Sequence, residues 1–229
     1  MMLTSQDKER ISAAIVEVER QSSGEIFCVL ARRVSRYREV PLMWAALAAG
    51  IIPPILVLTG LQRIATNFVL SSWTDQSQRA TESMLVRAMT GYGLVQAGIF
   101  LIVAIIVALP AVRRLMTPAP LRRYRVRQAA RRHFAAIGMH LSKDEPHILI
   151  FACWADRRVE LVAHENIHQA VGHGPWNAAV AAVVEGIKDG RPGDGFVKGI
   201  DICGQALAAH FPPDGPPKNR LPNTILEEL

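Results

Sequence analysis

The sequence is short of several things at once, and each shortage excludes a class of protein. Only three cysteines, Cys28, Cys153 and Cys203, occur in 229 residues. None belongs to a C-x-x-C pair and each sits in an apolar run, so reduced, buried, structural thiols are expected, in keeping with a cytoplasmic face. No Ser-His-Asp pattern, nucleophilic cysteine or phosphate-cradling glycine loop is visible, and there is no internal repeat. Charge is missing from two long stretches, PLMWAALAAGIIPPILVLTGL at 41–61 and YGLVQAGIFLIVAIIVALPAV at 92–112. A helix of about 20 residues crosses a hydrocarbon core of roughly 30 Å, so both read as transmembrane spans. Two buried core helices would need a larger surrounding domain than this chain supplies. Neither span reads as a signal peptide, because a polar-rich segment precedes the first. Pro53-Pro54 withdraws two backbone donors inside the first span and should bend it, with Thr59 or a neighbouring helix compensating. Neither span carries an ionisable residue, so a tolerated bend is expected rather than a substrate path.

Acidic residues are absent from 113–132, which hold Arg113, Arg114, Arg122, Arg123, Arg125, Arg127, Arg131 and Arg132. Arg32, Arg33, Arg36 and Arg38 precede the first span. The segment between the spans, 62–91, has only Arg63, Arg79 and Arg87, with Asp75 and Glu82 among them. The positive-inside rule then puts both termini in the cytoplasm and the 62–91 loop outside, as in a two-pass protein of a bacterial inner membrane. The net charge of +6 comes from this arginine collar. Arg113, Arg114, Arg122, Arg123, Arg125 and Arg127 are the expected contacts to a bilayer with anionic headgroups, each worth about 1 kcal/mol near the surface. No reading helix or aromatic platform accompanies the arginines, so nucleic acid is not an expected partner.

What is present outside the spans is an alternation of helix and strand. Ile11, Ala14, Ile15 and Val18 mark one face of a helix over 6–21, with Ser5 as its cap. Ser22-Ser23-Gly24 breaks it, and Glu25–Ala31 reads as a buried strand. This pair has too little surface to stand alone and must complete its core with chain that follows the spans. Val126–Leu141 is a helical stretch with Ala129, Ala130, His133, Phe134 and Ile137 inward, ending at Gly138. His147–Trp154 is continuously apolar, a polar corner follows at 155–158, and Val159, Leu161 and Ala163 alternate against Glu160. That pattern predicts an antiparallel hairpin. Two helices close the sequence, one from Pro175-Trp176 to a stop at Gly190, the other from Asp194 to Pro212-Pro213. The proline-rich segment 212–221 reads as a loop.

Several of these pieces resemble the TPM-domain family, which includes photosystem-repair phosphatase-like proteins and bacterial membrane proteins of unknown role. The resemblance rests on Ser23-Gly24-Glu25-Ile26 after an opening helix, ARRHFAAIGMHLS at 130–142 and ILIFACWADRRVELVAHENI at 148–167. It continues with Trp176, GDGFVKGIDICGQALAAHFP at 193–212 and Asn219-Arg220-Leu221-Pro222-Asn223, and covers roughly 140 residues outside the spans. It implies an α/β fold: a three-layer α/β/α sandwich with a small mixed sheet, interrupted here by a two-helix transmembrane hairpin. The expected divisions are 1–38, the first part of a split cytoplasmic domain; 39–115, the hairpin; and 116–229, the second part. The resemblance also implies phosphatase or metal chemistry on acidic groups at strand ends. This sequence departs from it by His164 in place of aspartate, Arg220 in place of glutamate and Asn223 in place of aspartate. Hard cations take oxygen ligands, so Glu25 and Glu165 alone make a poor divalent site.

One motif competes with that reading. LVAHENIHQAVGHG at 161–174 contains the H-E-x-x-H spelling of a zinc peptidase, His164, Glu165 and His168, with Glu185 as a third ligand. His173 is one position short of the extended spacing. Val159–Ala163 is β-branched and follows a short corner, and Asn166 suits a turn. The expectation is therefore a strand ending at 163, with His164 at its exit, His168 at or before the next helix, and the two not on one helical face. Glu25, His164 and Glu165 remain candidate catalytic residues, Glu25 being expected exposed. No cofactor is expected, a divalent metal being the alternative. The functional expectation is a non-catalytic binding or assembly module for a membrane protein complex. The alternatives are a weak acid phosphatase and a membrane zinc metallopeptidase.

Overall fold

The computed structural model describes residues 3–59, 81–139, 145–213, 215 and 220–228. The chain divides into two compact units, residues 1–36 with 119–229, and residues 37–118.

The first unit is α/β. Helix α1 (Ser5–Gln21) leads into strand β1 (Glu25–Ala31). Thr4, not Ser5, caps α1: its hydroxyl accepts from the Asp7 N–H at 3.1 Å while Asp7 accepts from the Thr4 N–H at 3.0 Å. This reciprocal pair satisfies two orphan donors, and the Thr4 hydroxyl, then its N–H, donating to the Asp7 carboxylate hold that carboxyl below its ordinary value. After the second unit come α5 (Ala119–Gly138), β2 (His147–Cys153), β3 (Arg158–Ala163), α6 (Glu165–Val171), α7 (Gly174–Lys188), α8 (Pro192–His210) and β4 (Ile225–Glu228). Helix α5 starts earlier than the expected Val126, so the arginine-rich 119–125 is helical as well.

The strands form one mixed sheet in the order β3-β2-β1-β4. β1 runs parallel to both β2 and β4, and β2 and β3 form the antiparallel hairpin. Every residue of β1 and β2 is buried, as the unbroken apolar runs require of central strands. Alternate residues serve opposite faces. Ile26, Cys28 and Leu30 pack with Ile15 of α1, Val183 of α7 and Phe196 of α8. Phe27, Val29 and Ala31 pack with Val126, Ala130 and Ile137 of α5. All three cysteines are free and buried, and burial pushes the thiols of Cys153 and Cys203 up to about 11 and about 12. Where α7 crosses α8, a Cβ added at Gly186 would lie 2.6 Å from Gly195 Cα, so these backbones meet with no room for a side chain.

The second unit holds α2 (Glu39–Leu58), α3 (Thr81–Ala108) and α4 (Pro110–Met116). Glu39–Leu58 and Met89–Ala108 are long and apolar enough to cross a membrane. Helix α3 begins and ends before the expected 92–112. Leu109 is extended at ψ 131°, the conformation favoured before Pro110, and Pro110 then opens α4. Pro53 and Pro54 lie inside α2. The Thr59 hydroxyl donates to the Ile55 carbonyl at 2.8 Å, which closes the end of α2 rather than the gap left by the prolines. The buried residues of α2 are Val40, Pro41, Ala45, Ala49 and Pro53. The long side chains point outward, Leu58 at 86% exposure and Leu101 at 60%. Most of the expected outside loop, residues 60–80, lies outside the described residues.

Candidate functional site

Glu25 opens β1, where Ser22-Ser23-Gly24 ends α1. The Ser22 hydroxyl donates to the Val18 carbonyl at 3.0 Å and helps to stop the helix. Contrary to expectation, Glu25 is buried. One carboxylate oxygen accepts the Arg220 N–H at 2.9 Å and the other the Leu221 N–H at 3.0 Å. The carboxylate therefore binds backbone from the far end of the chain, and charged acceptors of two amides make strong bonds. Each oxygen thus already holds one backbone donor.

The parallel register sets His147 beside Glu25. His147 is buried, and its Nδ1 lies 2.9 Å from the Glu145 carbonyl. A carbonyl only accepts, so Nδ1 carries the proton and Nε2 of the neutral ring has a lone pair. That Nε2 is enclosed without a hydrogen-bond partner among the described residues. Phe134 stacks on the ring at 4.6 Å, and the His164 ring, just past the end of β3, lies 5.2 Å away. Burial holds the imidazole below its ordinary value, and His164 pushes the same way. The Glu145 carbonyl and the carboxylates of Glu25 and Glu145 oppose them. The balance favours the neutral ring.

Glu19, on the last turn of α1, lies near the same end of the sheet and is also buried. Burial chiefly, then the charge of Glu25, pushes its carboxyl up to about 7, while hydrogen bonds from the Ile26 backbone and the Asn223 side chain pull it down less. Arg220 closes the cluster with an ion pair to Glu145 at 3.2 Å. Glu25 is thereby gathered with Arg220 and Asn223, from the far end of the chain, at one end of the sheet with His147 and His164. His147 and Glu19 were not legible as members. Only the β1–β2 register and the burial of the last turn of α1 put them there.

No residue of the H-E-x-x-H stretch is strand: His164 caps α6 and the rest is helical, so His168 lies inside that helix and not at or before it as expected. β3 ends at Ala163, as expected, and His164 follows as the N-cap of α6, its Nδ1 accepting weakly from the Asn166 N–H at 3.5 Å. Residues 165–171 are helical, which corrects the turn expected at Asn166: Ile167 is fully buried in the core and anchors this short helix. Gly172, at φ 72°, stops it. The two histidines have different neighbours. His164 leans on His147, whereas His168 meets His173 edge-to-face at 4.6 Å. Glu165 is exposed and accepts from Gln169 at 3.0 Å. Glu185 is exposed on α7. Among the described residues no three His, Cys, Asp or Glu side chains come together as a metal site, the set His164, His168 and Glu185 included.

No protein-family model matches the chain, and neither does any curated protein. Among solved structures, it is similar to the NMR structure of BA42 protein from the psychrophilic bacterium Bizionia argentinensis. The likeness has a TM-score of 0.53 and 18% identity, and covers 98% of this chain and 94% of that one. At that identity it speaks to the fold alone.

Proposed function

We propose that the chain is a two-pass protein of a bacterial inner membrane with both termini in the cytoplasm. Its first unit is a three-layer α/β/α sandwich of the TPM type, acting as a non-catalytic binding or assembly module for a membrane protein complex. The spanning role is supported by the outward apolar side chains of α2 and α3. Leu58, Leu101, Ile102 and Ile105 are 59–86% exposed, and water tolerates contiguous apolar patches of only a few hundred Å². The arginines on the flanks, Arg36 and Arg38 before α2 and Arg113 and Arg114 on α4, set the orientation and suit anionic headgroups.

The single observation that carries the non-catalytic reading is the state of Glu25. Both of its oxygens hold backbone amides of the C-terminal segment. The other candidate carboxylate, Glu165, is exposed and lies on a different element. A hydrolase needs its acid and base within reach of one reacting atom. The test pairs an aryl-phosphatase assay with native electrophoresis of mild-detergent membrane extracts. The expected result is no phosphatase activity above background and migration as a complex well above 25.2 kDa plus detergent. Activity that disappears in the Glu25→Gln, Glu165→Gln double variant would replace this reading with the acid-phosphatase one.

A further inference from the structure

Strand β3 is one edge of the four-stranded sheet. The His164 N–H donates to the His147 carbonyl at 3.0 Å, and bonded and unbonded pairs alternate along an antiparallel ladder. Arg158, Glu160 and Val162 therefore bond to β2, while Val159, Leu161 and Ala163 turn their backbone groups away from it. None of these three N–H groups donates to another element among the described residues. The register runs through 158–163 without a bulge or a proline, devices that ordinarily blunt an edge. A cleft of about 430 Å³ lies against this side, with Val159, Leu161 and Ala163 in its wall.

The two faces of the edge differ in chemistry. Side chains alternate across a sheet, so Val159, Leu161 and Ala163 share the face toward α7, where Val180 continues an apolar wall. Val162 packs with α5, and Glu160 and Arg158 stand on that same face. Arg123, Arg127 and Arg131 recur there every four residues along α5. Burial raises the Glu160 carboxyl, and Arg127, then Arg158, Arg131 and Arg123, pull it back. Only Arg127 of these lines the cleft itself; the other three carry positive charge along the edge beside it. None of the four closes an ion pair among the described residues. One half-buried carboxylate against four guanidinium groups leaves the α5 face positive.

We propose that β3 is a docking edge for an extended acidic segment of a partner protein, which adds to the sheet as a further strand. The outward N–H and carbonyl groups of Val159, Leu161 and Ala163 supply the ladder, and strand alternation supplies the sequence preference. Residues of the segment on the α5 face meet arginines and should be Asp or Glu. Those on the α7 face meet Leu161, Ala163 and Val180 and should be apolar. A second copy of β3 is the wrong occupant, because it would bring its own arginines against these. This deepens the binding-module reading and rests on it.

The full chain, purified into phosphatidylcholine nanodiscs, is titrated with a fluorescein-labelled octapeptide that alternates glutamate with valine. Saturable binding by anisotropy is expected, with the Val159, Leu161 and Ala163 amides gaining protection from hydrogen exchange. The same eight residues in block order, four glutamates and then four valines, should bind about tenfold or more weakly. N-methylation of the valines alone and of the glutamates alone should differ in effect: the row whose N–H groups face β3 loses binding, and the other row keeps it. Leu161→Pro deletes one outward N–H at an edge position that tolerates proline, and should abolish binding. Arg127→Glu should weaken it about tenfold or more, and Arg127→Lys much less. Arg20→Gln should change nothing. Melting curves check that each variant is folded, and the two N-methylated peptides decide on the wild-type chain if Leu161→Pro is not. No saturable binding below about 1 mM, or equal effects of the two N-methylations, would overturn the proposal. So would equal affinity for the block-order peptide with displacement by phosphatidylglycerol in the disc, which would assign the arginines to a membrane surface. Native electrophoresis of membrane extracts separates this edge from the module reading. A complex that persists while the peptide fails to bind overturns the docking edge alone. A wild-type chain that runs without partners while the peptide binds overturns the module reading and supports the edge.

Discussion

At the scale of single residues, Glu19 and His147 make opposite demands on pH. The Glu19 carboxyl is raised from 4.5 to about 7 in the fold, so the folded state binds the extra proton between those values. Its stabilising contribution is fully present below about pH 4.5 and is lost as pH rises through about 7, by roughly 3 kcal/mol. His147 is depressed, so its contribution is present above 6.5 and is lost as pH falls through the folded value. Glu19→Gln should therefore raise stability at pH 8 and flatten the decline between pH 4.5 and 7, as read by urea denaturation across pH. A variant that keeps the wild-type slope would show that Glu19 is not the group responsible. Glu25 makes a different prediction. Glu25→Ala removes the acceptor of the buried Leu221 amide and of the part-buried Arg220 amide and should cost about 1–3 kcal/mol for each that water cannot reach, with faster hydrogen exchange at both. Glu25→Gln keeps an acceptor oxygen and should cost less.

At the scale of elements, helix contacts and caps separate what matters from what only looks like a motif. Gly186→Ala should destabilise by about 1–3 kcal/mol, because the added methyl meets the backbone of α8. Gly174→Ala, facing open space, should be nearly neutral in the same thermal-melting comparison. His164→Ala loses a weak 3.5 Å cap bond and the tilted ring contact with His147 and should shift stability by less than about 1 kcal/mol. The strands were legible where side chains decide them. β1 and β2 announce themselves as unbroken apolar runs, and β3 by the alternation of Val159, Leu161 and Ala163 with Glu160. Helix α6 was not legible, since seven residues with an Asn and a β-branched Ile hardly form a helix on their own. Burial of Ile167 in the core forms it instead. β4 was missed because four residues, half of them glutamates, are too short to show a period. The cluster around His147 lay beyond sequence reading for another reason: its members meet only through strand register.

At the scale of the whole molecule, orientation is the first thing to check. A periplasm-active phosphatase fused after Asp75 should be active and one fused at Leu229 silent; the reverse pattern would refute the two-pass topology with cytoplasmic termini. Strand β1 carries a further consequence. It lies between β2 and β4, and His147 follows Ala31 by 116 positions. At roughly 5–20 residues per second of synthesis, β1 waits about 6–23 s for its first neighbour, and longer for Ile225. The earliest strand to leave the ribosome is thus among the last to be sealed. Through that interval Ile26, Phe27 and Val29 have no sheet to enter, so α1 and β1 should be cut by protease in ribosome-bound chains stalled before residue 147. Protection should come only once the 147–228 segment has emerged. A cell that makes this protein has to shelter its first thirty residues until 147–228 has been made, which makes the young chain, rather than the finished one, the natural client of a chaperone.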